Sequence, residues 1–160
     1  MKPLQTILLS FMLGLLSLPA QATSQNDVEQ ILAMRTPPFG VVFEIAEGDE
    51  KALRWAIPAV NGYVKKLRRR FPNIGIAVVT HGNEQFALMS EERASNQAVH
   101  DGVAALVNSD VPVHVCGTNA SWRGKGTEDF PKYVDVTPAG PTEIRNYQAM
   151  GYQLVRVRER

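Results

Sequence analysis

Cysteine is almost absent from this 160-residue chain, with Cys116 as its single thiol. One cysteine excludes an intramolecular disulfide and a C-x-x-C redox pair within one subunit. Excess charge is missing too. Seventeen Lys and Arg face sixteen Asp and Glu, a balance that gives no reason to expect nucleic acid or a strongly acidic partner. The chain has no G-x-G-x-x-G, Walker loop, G-x-S-x-G or H-E-x-x-H, so the commonest nucleotide, serine-hydrolase and zinc-protease signatures are excluded. After the N-terminal segment no apolar run is long enough to span a bilayer. Internal repeats and low-complexity stretches are also lacking. The length suits one domain with a full core.

The first residues carry a targeting pattern. Met1-Lys2 is a positive start, Ile7 to Leu18 is apolar, and Ala20-Gln21-Ala22 is an A-x-A cleavage site. This predicts a secretory signal peptide over 1–22 and a periplasmic or secreted mature protein with no membrane attachment once the peptide is removed. A lipoprotein would need a cysteine at the cut, and none is there. An exported thiol meets an oxidising compartment, so an exposed Cys116 would need a reason to persist. Residues 23–38 are polar with Val28, Ile31 and Leu32 interspersed. They read as a short helix or a packed tail, ended by Thr36-Pro37-Pro38.

From residue 39 to 160 the pattern is one α/β domain. Phe39 to Ile45 is a strand apolar on both faces, as a central parallel strand is. Asp49 is a helix-capping type, and Leu53, Ala56, Val60, Val64, Leu67 and Phe71 recur at helical spacing, with Pro58 predicting a kink or break. The cluster Lys65 to Arg70 reads as a solvated face with cations near a helix C-terminus. Asn73 to Thr80 is a second strand. Glu84 to Arg93 and Ser95 to Ser109 read as helices, the second facing inward through Ala98, Val99, Gly102, Ala105 and Leu106. Val111 to Cys116 is a third strand, Val134 to Val136 a fourth, Thr142 to Met150 a helix stopped by Gly151, and Tyr152 to Val157 a last strand. Strands alternating with helices predict a three-layer α/β/α sandwich around a mostly parallel sheet of about five strands.

In such a fold the carboxyl ends of the strands gather on one rim, where ligands bind. That rim should hold Glu44, Glu47, Thr80, His81, Asn83, Cys116, Thr118, Asn119 and Thr137. Cys116 stands at the end of a strand, just ahead of the turn and cap types Gly117, Thr118 and Asn119. Amide N–H groups and a helix start there favour a thiolate. Arg123 reads either as a cation that stabilises that charge or a bound sulfur oxyanion, or as a surface residue in a glycine-rich loop. His114 shares a strand face with Cys116 and reads as a core histidine bonded to a helix. Two ligands without a third predict no metal. The thiol itself stays open between a reactive and an inert buried residue.

The segments FGVVFEIAEGDEKALRWAIPAVNGYVK, IAVVTHGNEQFALM, VHVCGTNASWRG and VDVTPAGPTEIRNYQAMGY resemble the DsrE/DsrF-like (YchN-like) family. The resemblance runs from Phe39 to Val157 and is most specific at Cys116 with Arg123-Gly124 and at Gly140 to Ile144. It implies a three-layer subunit that assembles into homo- or hetero-oligomers, often trimers or hexamers; a homo-oligomer, trimer or hexamer, with no cofactor is expected here. It also implies that Cys116 accepts a sulfane sulfur as a persulfide and passes it on; Gly117, Thr118, Asn119, Arg123 and His81 on the rim are the candidate substrate-binding residues beside it. The sulfur donor and acceptor are not named by the residues. Some members read C-G-x-C here. This chain has Asn119 at the second position, so a self-resolving disulfide is not available to it. The best-understood members serve cytoplasmic pathways, which an exported chain cannot share.

Overall fold

The computed structural model describes residues 23–159, and the expected signal peptide over 1–22 lies outside them. Among the described residues, five strands form one sheet: β1 (Gly40–Ile45), β2 (Gly75–Thr80), β3 (Val113–Cys116), β4 (Asp135–Thr137) and β5 (Tyr152–Arg156). Their spatial order is β4-β3-β2-β1-β5, and all four pairings are parallel. The helices are α1 (Ser24–Leu32), α2 (Leu53–Arg70), α3 (Gln97–Val107), α4 (Gly117–Ser121) and α5 (Gly140–Ala149). From β1 to β4 the chain steps strand by strand in one direction. It then returns through α5 to set β5 on the far side of β1. Right-handed crossovers in opposite directions put their helices on opposite faces, and this makes the three layers.

The apolar alternation of the strands feeds both faces. Val41, Phe43, Ile45, Ile76, Val78, Val113 and Val115 pack with α1, α2 and α3. Val42, Ala77 and Val79 pack under Ile144 and Tyr147 of α5. All six residues read as the inward stripe of α2 are buried. Residues 23–38 resolve in favour of the helix. Thr23 caps α1 by accepting the Asn26 N–H at 3.2 Å, and Val28 and Ile31 are buried in the main core. The cations closing α2 act as ties: Lys66 pairs with Glu29 at 3.0 Å, Arg68 donates to the Ser109 and Asp110 carbonyls, and Arg70 donates to that of Met34.

Three expectations are corrected. Pro58 does not break α2, which runs through it. The proline is on the exposed side, where water can serve the carbonyl its ring leaves free. The stretch Glu84 to Arg93 is two short 3-10 turns, Asn83–Leu88 and Ser90–Glu92. Buried Glu84 and Gln85 use this tighter geometry to aim at the strand ends. The inner face of α3 is Val99, His100, Val103 and Leu106, while Ala98 and Ala105 are exposed. The stripe is rotated because His100 is fully buried and bonded at both ring nitrogens. Nδ1 lies 2.6 Å from the Tyr133 hydroxyl and Nε2 lies 3.0 Å from the Ala87 carbonyl. A carbonyl only accepts, so Nε2 carries the proton and Nδ1 takes the tyrosine O–H.

Burial pushes the His100 pKa down, outweighing the Ala87 hydrogen bond. The unfolded chain therefore binds this proton more readily than the folded one. The contribution is whole above the unfolded value of about 6.5 and is lost as pH falls below it. Urea unfolding followed from pH 7.5 down to pH 5 should show stability declining on the acid side. In His100→Gln that part of the decline should disappear, at a lower stability overall.

Candidate functional site

The carboxyl rim of the sheet is held by buried polar side chains from the loop after β2. Gln85, fully buried, clamps the backbone of Cys116 from both sides. Its Oε1 accepts the Cys116 N–H at 2.8 Å and its Nε2 donates to the Cys116 carbonyl at 3.1 Å. Glu84, also fully buried, accepts from the Thr80 hydroxyl at 2.5 Å, the Gly82 N–H at 2.9 Å and the Glu47 N–H at 2.7 Å. It ties the ends of β1 and β2 together. Gly82 is needed where it stands, because a Cβ there would lie 2.3 Å from Glu84 Oε2 and 2.4 Å from the Glu47 carbonyl. Burial, with the Glu84 carboxylate second, raises the Glu47 pKa.

Cys116 ends β3 and caps α4. Its Sγ accepts the Asn119 N–H at 3.4 Å, and the residue is 5% exposed. Helix α4 has five residues, so its dipole is small and the contact to the sulfur is this one amide. The neighbouring Thr118 N–H is spent on the Pro138 carbonyl at 3.0 Å, which also accepts the Thr118 hydroxyl at 2.8 Å. Gly117 packs against β4, and a Cβ on it would sit 3.0 Å from the Thr137 carbonyl. Asn119 Nδ2 donates to the carbonyls of His81 at 3.0 Å and Gly82 at 2.9 Å. Cys116, Gly117, Thr118, Asn119 and His81 are thus brought together.

Arg123 is directed elsewhere. Its guanidinium lies 3.9 Å from the centre of the Phe86 ring and pairs with Glu50 at 2.5 Å. Both contacts belong to a groove of about 520 Å³ lined by Glu50, Lys51, Arg54, Phe86, Asn96 and Arg123 among others.

On the α5 face, His81 Nε2 lies 3.0 Å from Glu44 Oε1, while Arg156 Nε meets Glu44 Oε2 at 2.8 Å. That second contact is a charge pair off the hydrogen-bond axis, since Oε2 has no aligned donor. The His81 hydrogen bond, with the Arg156 charge adding to it, lowers the Glu44 pKa against its burial. One row deeper, His114 is the bonded core histidine expected from the sequence. Nδ1 faces Asp135 at 2.7 Å and Nε2 faces the Tyr147 hydroxyl of α5 at 2.8 Å. Burial pushes the Tyr147 pKa up to about 12. Among the described residues, no group of three His, Cys, Asp or Glu side chains could hold a metal, and no helix is long and apolar enough to cross a membrane.

Solved structures share this fold, two of them at the following likeness. One is the protein of unknown function MTH1491 from Methanobacterium thermoautotrophicum, at 24% identity and a TM-score of 0.60, over 74% of this chain and 98% of that one. The other is the YchN protein of E. coli, at 18% identity and a TM-score of 0.50, over 73% of this chain and 98% of that one. The chain has a YchN-like fold. No protein-family model and no curated protein matches it.

Gln85 was not visible as a site residue in the sequence. Its one signal is an amide directly before the apolar Phe86, Ala87, Leu88 and Met89. Gln85→Ala would leave the N–H and C=O of Cys116 buried without partners. The expected loss is about 2–4 kcal/mol of stability, measured by denaturant unfolding.

Proposed function

We propose that the chain is an exported carrier of sulfane sulfur, using Cys116 as its single acceptor. The observation that carries this reading is the placement of Sγ at the carboxyl rim of a parallel sheet, accepting the Asn119 N–H. The thiolate is the nucleophile, and an amide donor is already aimed at the sulfur. The thiolate attacks the outer sulfur of a persulfide donor R–S–SH. A bond forms between Sγ and that sulfur, the donor S–S bond breaks, and R–S⁻ leaves with the electron pair. Cys116 then holds the sulfur as a persulfide for an acceptor thiolate. With one cysteine in the chain no internal disulfide can discharge it, so transfer has to be to another molecule. The reading includes a periplasmic or secreted location, from the leader pattern, and assembly into trimers or hexamers, from the family resemblance.

A second reading is favoured by the burial of Cys116. In it the protein is a non-enzymatic oligomeric binding module and the thiol is structural. Mass spectrometry separates the two. Native protein exposed to polysulfide should gain one sulfur atom, about 32 Da, that is removed by reductant and absent in Cys116→Ser. No such adduct, with a thiol that labels only after denaturation, would decide for the binding module.

A further inference from the structure

A thiol reacts after losing its proton, so a carrier cysteine needs a group to receive it. The sheet sets such a group on the strand next to that of Cys116. Thr80 pairs with Val115 in the β2–β3 register, so the next residues on the two strands, His81 and Cys116, are neighbours. By the two-residue alternation they share the α5 face, His81 with Val79 and Cys116 with His114. Asn119 bridges them, its backbone N–H on Sγ and its side-chain amide on the His81 carbonyl. On the other side of the ring, Glu44 Oε1 faces Nε2 at 3.0 Å, and Arg156 holds the same carboxylate. A carboxylate accepts, so Nε2 carries the proton and Nδ1 keeps its lone pair. No described residue hydrogen-bonds Nδ1, and the His81 side chain is 18% exposed.

We infer that His81, its tautomer fixed by Glu44, accepts the proton of the Cys116 thiol, so that Glu44, His81 and Cys116 act in line across three adjacent strands. The inference rests on the sulfur-carrier reading. In the step the Sγ–H bond breaks, an Nδ1–H bond forms, and the electron pair stays on sulfur. The imidazolium produced is held against the Glu44 carboxylate. Glu44 is a positioning residue, acting through the ring. The other charged groups around His81 come from separate elements. Arg156 of β5 reaches it through Glu44. Glu143, in the first turn of α5 above the rim, is engaged by Thr137 and Asn146. Glu84, in the same loop as His81, accepts three hydrogen bonds of its own.

The test is the rate of Cys116 alkylation by iodoacetamide as a function of pH, on the mature chain, with thiolate ultraviolet absorbance titrated in parallel. His81→Gln should displace both curves to higher pH and slow alkylation at neutral pH by about tenfold. Glu44→Gln should displace them the same way by less, and it carries the test alone should the His81 variant not fold. Variant curves that superimpose on the wild type overturn the role of His81, whatever the persulfide experiment gives. A native thiol closed to iodoacetamide speaks against the carrier reading instead, and the absorbance titration still judges His81.

Discussion

A parallel sheet buried on both faces ends in backbone groups that the next strand does not satisfy, and those shut away from water need partners. At the carboxyl rim of this sheet Gln85 and Glu84 meet that demand. Gln85 supplies a side-chain amide to both backbone groups of Cys116, as a further strand would. Glu84 gathers the ends of β1 and β2 on one carboxylate. The backbone that presents the thiol is held by these two neighbours. Because both are fully buried, their bonds are made in a medium where leaving one unmade costs more than the bond itself contributes in water.

The architecture was largely legible because it rests on period and composition. The β-branched runs around Val41, Val78 and Val115, and the stripe Leu53 to Phe71, each follow a single rule, and the fold obeys it. The segment after β2 was not legible. Phe86, Leu88 and Met89 suit a helix as well as a pair of 3-10 turns, and what decides is the depth at which Glu84 and Gln85 bond, a tertiary fact. The rotation of α3 has the same origin, since a histidine with two partners displaces alanines from the inner face.

The site was legible in part. The cysteine, its turn and the rim position of His81 follow from strand ends alone. The pairing of His81 with Glu44, separated by 37 residues, depends on register between strands, which one sequence does not encode locally. Arg123 shows the opposite case. A cation a few residues after a thiol suggests electrostatic help, yet an aromatic ring and a carboxylate lie nearer in space, and the guanidinium settles on them. Proximity along the chain predicted a contact that packing directed elsewhere.

The order β4-β3-β2-β1-β5 also dictates a sequence of events during synthesis. The first strand to leave the ribosome is β1, and one of its two flanks is closed only by β5, whose last residue is Arg156. Until then the nascent chain carries an unpaired, strongly apolar ribbon at the centre of its future core. Such an edge readily recruits a foreign strand. Truncations that remove even the last dozen or so residues should therefore aggregate rather than yield a smaller soluble fragment.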